Sequence, residues 1–422
     1  NTKQGNNGPV AVAKEHRDSV NCMVISEDGS FIVSGSEDCT ARVWSTRLDQ
    51  VESLYVLEGH ESYLTCVAII DNNIFTGSAD KTIRKWDLSS GSCQYVYKGH
   101  GSRLTKLAAT EKFLFSGATD GCSKVWLLDP RMLRSGRGEE PDPCIRTLVG
   151  HQKGVSDLLF LEAEELPGDE ENNVFIKPGD FVITSSLDST AICWSLDTGK
   201  PLKKYRGHTG PITCLCSDED KDVLYTASQD KTIRAWSIKT GKCNQVFSGH
   251  SNTILHLALS RTLLFSGAAD GTARSWVVEY GEPAREFRGH NHTVTSILLR
   301  GDILYTACGD GVIRVFGAKD GSLRKTFRGH TGSVTCIVTD DDRLYSAGAE
   351  GSIQVWDVSQ FSGQVGPSRR DKTGSQEWRE EEQARRLAQL ERKLSFFQQE
   401  GQLTSRKVSS PSELSQETIS EE

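Results

Sequence analysis

The chain has 422 residues, of which 36% are hydrophobic and 39 are glycine, a composition that excludes wholesale disorder and a collagen-like fibre. Its formal net charge of -8 argues against a general nucleic-acid-binding protein and does not favour acidic partners. Uninterrupted apolar stretches such as residues 66–70 are far shorter than the ~18 residues that a transmembrane helix needs.

The N-terminal residues 1–8 are polar and predicted to be disordered, and residues 10–14 then form a short strand-like segment. Because no inner strands precede this segment, we expect it to pair with the end of the chain as the outer strand of a last repeat. Such pairing leaves no open sheet edge between the first and last units.

A Gly-His dipeptide recurs seven times, and a related Glu-His stands before the first of them. Five of the seven His-to-His steps are 40 to 44 residues, and steps of 51 and 57 residues indicate two insertions. This period is typical of a four-stranded propeller blade. Each His is followed by three strand-like segments, and a fourth, outer strand precedes the next Gly-His. The pattern predicts eight blades, with seven blades plus one stray repeat as the alternative.

Four side chains recur in every repeat at fixed spacing: a His, a hydroxyl in the second strand, an acid four residues later, and an aromatic residue six residues after the acid. Glu350 and Phe316 depart from the usual Asp and Trp. The eight sets are His16, Ser34, Asp38 and Trp44; His60, Thr76, Asp80 and Trp86; His100, Ser116, Asp120 and Trp126; His151, Thr184, Asp188 and Trp194; His208, Thr226, Asp230 and Trp236; His250, Ser266, Asp270 and Trp276; His290, Thr306, Asp310 and Phe316; His330, Ser346, Glu350 and Trp356.

This pattern resembles the WD40-repeat family over residues 9–360, although only Trp86-Asp87 and Trp356-Asp357 keep the literal Trp-Asp dipeptide. The resemblance implies an all-β, eight-bladed propeller of four-stranded antiparallel blades. It also implies that each set of four side chains, which we call a tetrad, is one hydrogen-bonded network. Because Phe316 has no indole N–H, we expect the seventh network to be broken at that end.

The tetrad contains the residue types of a Ser-His-Asp hydrolase triad. A catalytic site is needed once, whereas this set recurs in all eight units, so we predict a structural role. The sequence indicates no catalytic residue, no cofactor and no metal site, since no Cys-x-x-Cys pair or Gly-rich phosphate loop stands apart from the repeat.

A propeller presents loops on two faces. We call "top" the face that holds the turns between second and third strands and the turns that lead into each first strand. In the WD40 family, partners often contact top-face positions three and five residues after the His and one before the acid. Most of these residues are small or neutral here. The exceptions, which we predict as partner-binding residues, are Tyr63, Arg103, Leu187 and Leu255.

Two insertions, residues 129–143 and 162–180, are predicted on the opposite face; the second is acidic and is either disordered or suited to a basic partner. Residues 361–374 have the composition of a linker. Residues 375–400 place Leu387, Leu390, Leu394 and Phe397 on one face of an amphipathic helix, which packs on the propeller, binds a partner or self-associates. The polar residues 401–422 are predicted to be disordered.

These features predict a non-enzymatic scaffold or adaptor that binds protein partners, with neither nucleic acid nor membrane as a ligand, around a monomeric propeller. The twelve cysteines are best explained as reduced thiols of a cytoplasmic or nuclear protein. The alternative is a substrate receptor of a cullin-type ubiquitin ligase, because Asp38, Trp44 and Arg47 partly resemble the WD-x-Arg box of such receptors. Ser45 stands where that box has an acid. A propeller enzyme is a third, weaker interpretation.

Overall fold

The computed structural model describes residues 8–46, 53–129, 142–162 and 179–362. All of them belong to the first of two units into which the chain divides, residues 1–365. The predicted linker 361–374 beyond residue 362, the predicted helix over 375–400, residues 401–422, residues 1–7 and most of both insertions lie outside the described residues.

The described residues form eight four-stranded antiparallel sheets, and every sheet joins four strands that are consecutive in sequence except the last. We call each sheet a blade and number the blades by their first strands. The chain opens with β1 (Ala11–Ala13). Blade 1 has β2 (Val20–Ile25), β3 (Phe31–Ser36), β4 (Ala41–Ser45) and β5 (Ser53–Leu57); blade 2 has β6 (Leu64–Ile70), β7 (Asn73–Ser78), β8 (Ile83–Asp87) and β9 (Cys93–Tyr97); blade 3 has β10 (Leu104–Ala109), β11 (Phe113–Ala118), β12 (Cys122–Leu127) and β13 (Cys144–Val149); blade 4 has β14 (Val155–Leu161), β15 (Phe181–Ser186), β16 (Thr190–Ser195) and β17 (Pro201–Arg206).

The second half repeats this arrangement. Blade 5 has β18 (Ile212–Ser217), β19 (Val223–Ser228), β20 (Thr232–Ser237) and β21 (Cys243–Ser248); blade 6 has β22 (Ile254–Leu259), β23 (Leu263–Ala268), β24 (Ala273–Val277) and β25 (Pro283–Phe287); blade 7 has β26 (Val294–Arg300), β27 (Ile303–Cys308), β28 (Val312–Gly317) and β29 (Leu323–Arg328); blade 8 has β30 (Val334–Thr339), β31 (Arg343–Gly348) and β32 (Ile353–Asp357). The four-residue helix α1 (Ser359–Ser362) follows β32.

The ring is closed by the N-terminal strand, as predicted. β1 pairs antiparallel with β32, with Ala11 opposite Val355 and Ala13 opposite Ile353, and supplies the fourth strand of blade 8. The first strands of successive blades contact one another around the ring, and β30 of blade 8 contacts β2 of blade 1. The eight-bladed prediction is confirmed, and the alternative of seven blades with a stray repeat is wrong.

The apolar core lies between blades. The described residues form eight apolar clusters, and each cluster combines side chains of two neighbouring blades. A second strand is therefore covered on both faces, and all six residues of β11 are buried. An outer strand is covered on little of its surface, so in β17 only Tyr205 is buried. Alternate side chains of a strand point to opposite faces, which explains why second strands read as unbroken apolar and small residues.

No helix among the described ranges is long and apolar enough to cross a membrane.

Candidate functional site

The tetrad of blade 2 shows how the repeated side chains connect. His60 precedes the first strand of the blade and contacts the two elements that follow it. Its Nδ1 is 2.6 Å from the carboxylate of Asp80, in the turn between the second and third strands, and its Nε2 is 2.7 Å from the hydroxyl of Thr76, in the second strand. The Trp86 indole N–H donates to the same hydroxyl at 2.8 Å. An ionised carboxylate can only accept, so His60 carries its proton on Nδ1 and donates it to Asp80. With the proton there, Nε2 accepts from the Thr76 hydroxyl, which in turn accepts from the indole.

The same chain of donors and acceptors links the tetrads of blades 1, 3, 4, 5, 6 and 8. The bond from the indole to the hydroxyl is 2.8 Å or 2.9 Å long in each. The bonds from imidazole Nε2 to the hydroxyl are 2.6 Å to 2.9 Å long. Such a fully satisfied buried network fixes the register of the strands that it joins.

The tetrad acid also ties two turns together. In blade 1 one carboxylate oxygen of Asp38 accepts from the backbone N–H of Arg17 at 3.0 Å, and the other accepts from the N–H and hydroxyl of Thr40 at 2.9 Å and 2.6 Å. Burial alone would raise the pKa of Asp38, but the bonds from Thr40, Arg17 and His16 outweigh it and hold that pKa at about 2. Burial lowers the pKa of His16, so the imidazole is neutral at physiological pH.

Blade 8 accommodates the longer Glu350 because Gly348 has no side chain. The Glu350 carboxylate contacts His330 Nδ1 and accepts from the backbone N–H of Gly332 at 3.1 Å. A Cβ atom on Gly348 would collide with both carboxylate oxygens. Blades 1 and 2 have Ser36 and Ser78 at the position of Gly348.

Blade 7 departs from the pattern in a way that the sequence alone did not indicate. His290 Nε2 still lies 2.6 Å from the Thr306 hydroxyl, but Nδ1 is 3.9 Å from Asp310 and accepts from the Arg314 guanidinium instead. Arg314 also donates to Asp310 at 3.1 Å, and only 7% of its side chain is exposed. Burial and the Arg314 cation lower the pKa of His290 to about 4.

The proton arrangement of blade 7 is consequently reversed. Because Arg314 donates to Nδ1, the imidazole proton lies on Nε2 and is donated to Thr306. The Thr306 hydroxyl then donates to the backbone carbonyl of Arg314 at 3.2 Å. Arg314, which can only donate, therefore determines which nitrogen of His290 carries the proton.

The tetrad hydroxyls are inaccessible to a substrate. All eight tetrad Ser and Thr residues are 0% exposed, so no carbonyl carbon can approach the oxygen of a hydroxyl in any blade. This burial supports the structural role that repetition in the sequence predicts.

The top-face turns are held by a repeated backbone hydrogen bond. In every blade the residue before the tetrad acid donates its N–H to the carbonyl of the residue three positions after the His, over 2.8 Å to 3.0 Å. In blade 2, for example, Ala79 donates to Tyr63 at 2.9 Å. The two turns of each blade thus share one face, and their backbones are mutually braced.

Three of the four predicted partner-binding residues lie on consecutive blades of this face. The Arg103 guanidinium donates to the Tyr63 hydroxyl at 3.0 Å, which joins blades 2 and 3. Leu187 of blade 4 is 41% exposed, and its N–H is bonded to the Gly154 carbonyl. Leu255 stands apart in blade 6, half-buried in β22.

The position of Leu255 has a structural use that the sequence analysis missed. In other blades a polar side chain at this position donates to a carbonyl of the next blade: Asn21 to Leu64 at 3.0 Å, Thr213 to Ile254 at 2.6 Å and Thr335 to Val20 at 2.6 Å. Leu255 cannot make this bond.

Charge is distributed unevenly over the top face. In the three residues after each tetrad His and in the turn around each tetrad acid, blades 2 to 5 carry four cations, Lys81, Arg103, Lys153 and Lys231, together with Glu61 and the four tetrad acids. The same positions of the other four blades carry one cation, Arg17, with Asp18, Glu37 and four tetrad acids. We call the group of four cations the cationic half of the top face. These cations are exposed, whereas the side chains of the four tetrad acids beside them are at most 18% exposed.

Two other predicted features are only partly described. Most of the insertions, residues 130–141 and 163–178, fall outside the described ranges. In the segment that resembles a ubiquitin-ligase receptor box, Ser45 is buried, whereas Arg47 lies outside the described residues.

Comparison with known proteins agrees with the geometry of the blades. The family model described as "WD domain, G-beta repeat" matches eight times, over residues 7–45, 51–87, 91–126, 142–195, 199–237, 241–276, 281–317 and 321–357. The chain belongs to the WD40 family. Each match corresponds to one tetrad-bearing repeat.

Curated relatives match the WD40 propeller over limited stretches. WD repeat-containing protein 86 of Homo sapiens is 42% identical over 72 residues, which cover 17% of this chain and 19% of that protein. The pattern of eight repeats followed by a C-terminal extension also predicts a resemblance to this type of WD40 protein. Mitochondrial division protein 1 of Schizosaccharomyces pombe is 25% identical over 231 residues, 49% of this chain and 27% of that protein. The first matched relative, Mitochondrial division protein 1 of Candida glabrata, is covered over only 13% of its length.

Solved structures show the same fold. The computationally designed Ika8 protein superimposes with a TM-score of 0.70 at 26% identity, covering 83% of this chain and 99% of Ika8. Saccharomyces cerevisiae Sqt1 gives a TM-score of 0.72 at 17% identity, covering 83% of this chain and 98% of Sqt1. The second likeness concerns the fold alone.

Proposed function

We propose that this WD40 propeller is a non-enzymatic scaffold that binds an acidic segment of a partner protein over blades 2 to 5 of its top face. The observation that supports the proposal is the coincidence of the cationic half with Tyr63, Arg103 and Leu187 on the same blades. Tyr and Arg are the residue types that dominate binding energy at protein interfaces.

The geometry of this surface favours binding with a small entropic cost. The backbone bonds between the top-face turns hold the loops before a partner arrives, so less conformational freedom is lost on docking. The bond between Arg103 and Tyr63 likewise holds two long side chains in one arrangement. The four exposed cations, offset by Glu61 and by four largely buried tetrad acids, attract an acidic segment and increase its association rate, most strongly at low salt.

We place this scaffold in a reducing compartment, the cytoplasm or the nucleus. All twelve cysteines are free thiols, including the buried Cys66, Cys193 and Cys308. A chain that functions in an oxidising compartment generally pairs some of its cysteines.

The proposal is tested by purifying the tagged full chain from cells and identifying copurifying proteins by mass spectrometry. The test variant combines Tyr63→Ala, Arg103→Ala and Leu187→Ala. The matched control combines Thr253→Ala, Thr293→Ala and Ser333→Ala, which change residues of the opposite half of the same face. Both must melt at the temperature of the wild-type protein.

We expect the test variant to lose partners that the control keeps. For each such partner, binding measured with purified proteins should weaken as salt rises, and it should weaken further in a variant with Lys81→Glu, Lys153→Glu and Lys231→Glu. Equal partner lists for the test and control variants would show that the cationic half is not the binding surface. A partner whose binding is insensitive to salt and to charge reversal would contradict the acidic segment.

A further inference from the structure

Blade 7 brings together three metal-ligating side chains that no other blade combines. His290 and Asp310 are tetrad members, and Cys308 stands two residues before the acid, where other blades have Ser, Ala or Gly. One ligand atom from each, His290 Nδ1, Cys308 Sγ and an Asp310 carboxylate oxygen, lie within 4.8 Å of one another. The sequence alone does not indicate a metal site here, because His290 and Asp310 occupy tetrad positions that recur in every repeat.

The decisive property of blade 7 is the lone pair on His290 Nδ1. In the seven blades with Trp, Nδ1 donates its proton to the tetrad carboxylate, so that nitrogen has no lone pair to offer a metal ion. In blade 7 the Arg314 guanidinium, which can only donate, contacts Nδ1, so the imidazole proton lies on Nε2 and is donated to Thr306 at 2.6 Å. The Nδ1 lone pair faces Asp310, and at present it accepts from Arg314.

We propose that blade 7 binds one Zn²⁺ ion through His290 Nδ1, Cys308 Sγ and an Asp310 carboxylate oxygen, with a water molecule as the fourth ligand. Imidazole, thiolate and carboxylate are the ligands that zinc prefers, and tetrahedral zinc places such atoms about 3.3–3.6 Å apart. His290 Nδ1 and the nearer Asp310 oxygen are already 3.9 Å apart. Closing the site requires movements of well under 1 Å for this pair, on the basis of those bond lengths.

The neighbouring hydrogen bonds suit this role. A histidine that ligates a metal generally donates its other N–H to a fixed acceptor, which orients the ring; Thr306 is that acceptor, and its own hydroxyl donates to the Arg314 carbonyl. Cys308 Sγ accepts from the Asp310 N–H at 3.4 Å and, as a thiol, donates to the His292 carbonyl at 3.1 Å. Zinc binding converts the Cys308 thiol to a thiolate, and the proton is released to solvent.

Arg314 is the competitor of the metal ion. Its side chain lies beside Gly289, as the side chain of the equivalent Arg274 lies beside Gly249 in blade 6. The Arg274 side chain is 20% exposed and pairs with Glu286 at 3.4 Å, whereas that of Arg314 is 7% exposed. We infer that zinc displaces Arg314 outward, and that the cation holds the ligands in place when no metal is bound.

The inference is tested by titrating the full chain, freed of metal with a chelator, with Zn²⁺ in competition with a chromogenic chelator. Co²⁺ serves as a spectroscopic substitute, since a thiolate ligand produces an intense charge-transfer absorption. The variants are Cys308→Ser, which removes a ligand, and Arg314→Leu, which removes the competing cation. Cys193→Ser, a buried cysteine of another blade, is the control.

We expect one Zn²⁺ per wild-type chain and the thiolate absorption with Co²⁺. Cys308→Ser should weaken binding by more than the roughly 100-fold that loss of an outer-shell partner can cost, and Arg314→Leu should strengthen it by about tenfold or more. If the affinity and the cobalt spectrum are the same in wild type and Cys308→Ser, any bound zinc is elsewhere and the inference is wrong. Because Arg314→Leu is a gain of affinity, loss of folding in another variant does not leave the inference undecided.

Discussion

Replacing a tetrad hydroxyl by a methyl group tests whether the repeated network stabilises the propeller. Thr226→Val keeps nearly the same shape but removes the oxygen that lies 2.8 Å from both His208 Nε2 and the Trp236 N–H. Thr226 is 0% exposed, so water cannot replace it. Two buried polar groups lose their partner at a cost of about 1–3 kcal/mol each, which gives a total near 4 kcal/mol.

Blade 7 supplies the matched control for this substitution. Thr306→Val removes a hydroxyl that serves only one side-chain partner, His290 Nε2, because Phe316 donates nothing. Its cost should be about 2 kcal/mol, half that of Thr226→Val.

The two variants are compared by urea unfolding and by calorimetry. For a propeller of about 350 residues, an unfolding entropy of ~2.1 cal/mol/K per residue sums to roughly 0.7 kcal/mol/K, so Thr226→Val should lower Tm by about 5 °C and Thr306→Val by about half as much. Equal losses in the two blades would refute the reasoning, since the indole bond would then contribute nothing. A loss below about 1 kcal/mol in Thr226→Val would show that the network is not a stabilising element.

Three further predictions concern stability. Ser189 has a φ of 68°, a left-handed conformation for which blade 3 uses Gly121 at the same turn position, so Ser189→Gly should raise the free energy of unfolding by about 1 kcal/mol in urea titrations. The Ser275 hydroxyl is fully buried with no hydrogen-bond partner among the described residues, and Ser275→Ala should therefore raise Tm, whereas a lower Tm would reveal an unrecognised partner. The pKa values of Asp38 and Glu350 are held at about 2, against about 4 in an unfolded chain. Their contribution is complete above about pH 5 and is lost as pH falls toward 2, so the free energy of unfolding should decrease over that range, and less steeply in Asp38→Asn.

The repeat architecture follows from the sequence because its signals are local and occur eight times. Apolar alternation indicates each strand, and a glycine or an acid indicates each turn. Where one segment is ambiguous, the equivalent segments of the other seven repeats show which element it forms. Closure of the ring was predictable for a similar reason. Residues 10–14 had the pattern of an outer strand and no inner strands before them, and an unpaired edge on blade 8 was the only place left for them.

The chemistry of individual blades was less predictable. The sequence indicated that Phe316 interrupts the seventh tetrad, but it did not indicate that Arg314 enters the interior to satisfy His290. An arginine occupies the same position in blades 1, 2, 5 and 6, and nothing in its local pattern distinguishes the one that is buried. The role of Gly348 could not be predicted from the sequence either, because a residue without a side chain is needed there only to make room for the longer Glu350.

The sequence by itself determined the number of blades, the tetrads and the closing strand, because each depends on spacing along the chain. Only the tertiary structure decided which side chains meet: the bond between Arg103 and Tyr63, the entry of Arg314 beside His290, and the gathering of His290, Cys308 and Asp310 within one blade. Contacts between repeats depend on how the blades are rotated about the ring and on which side chain fills the space that a neighbour leaves. That information is absent from the spacing within any single repeat.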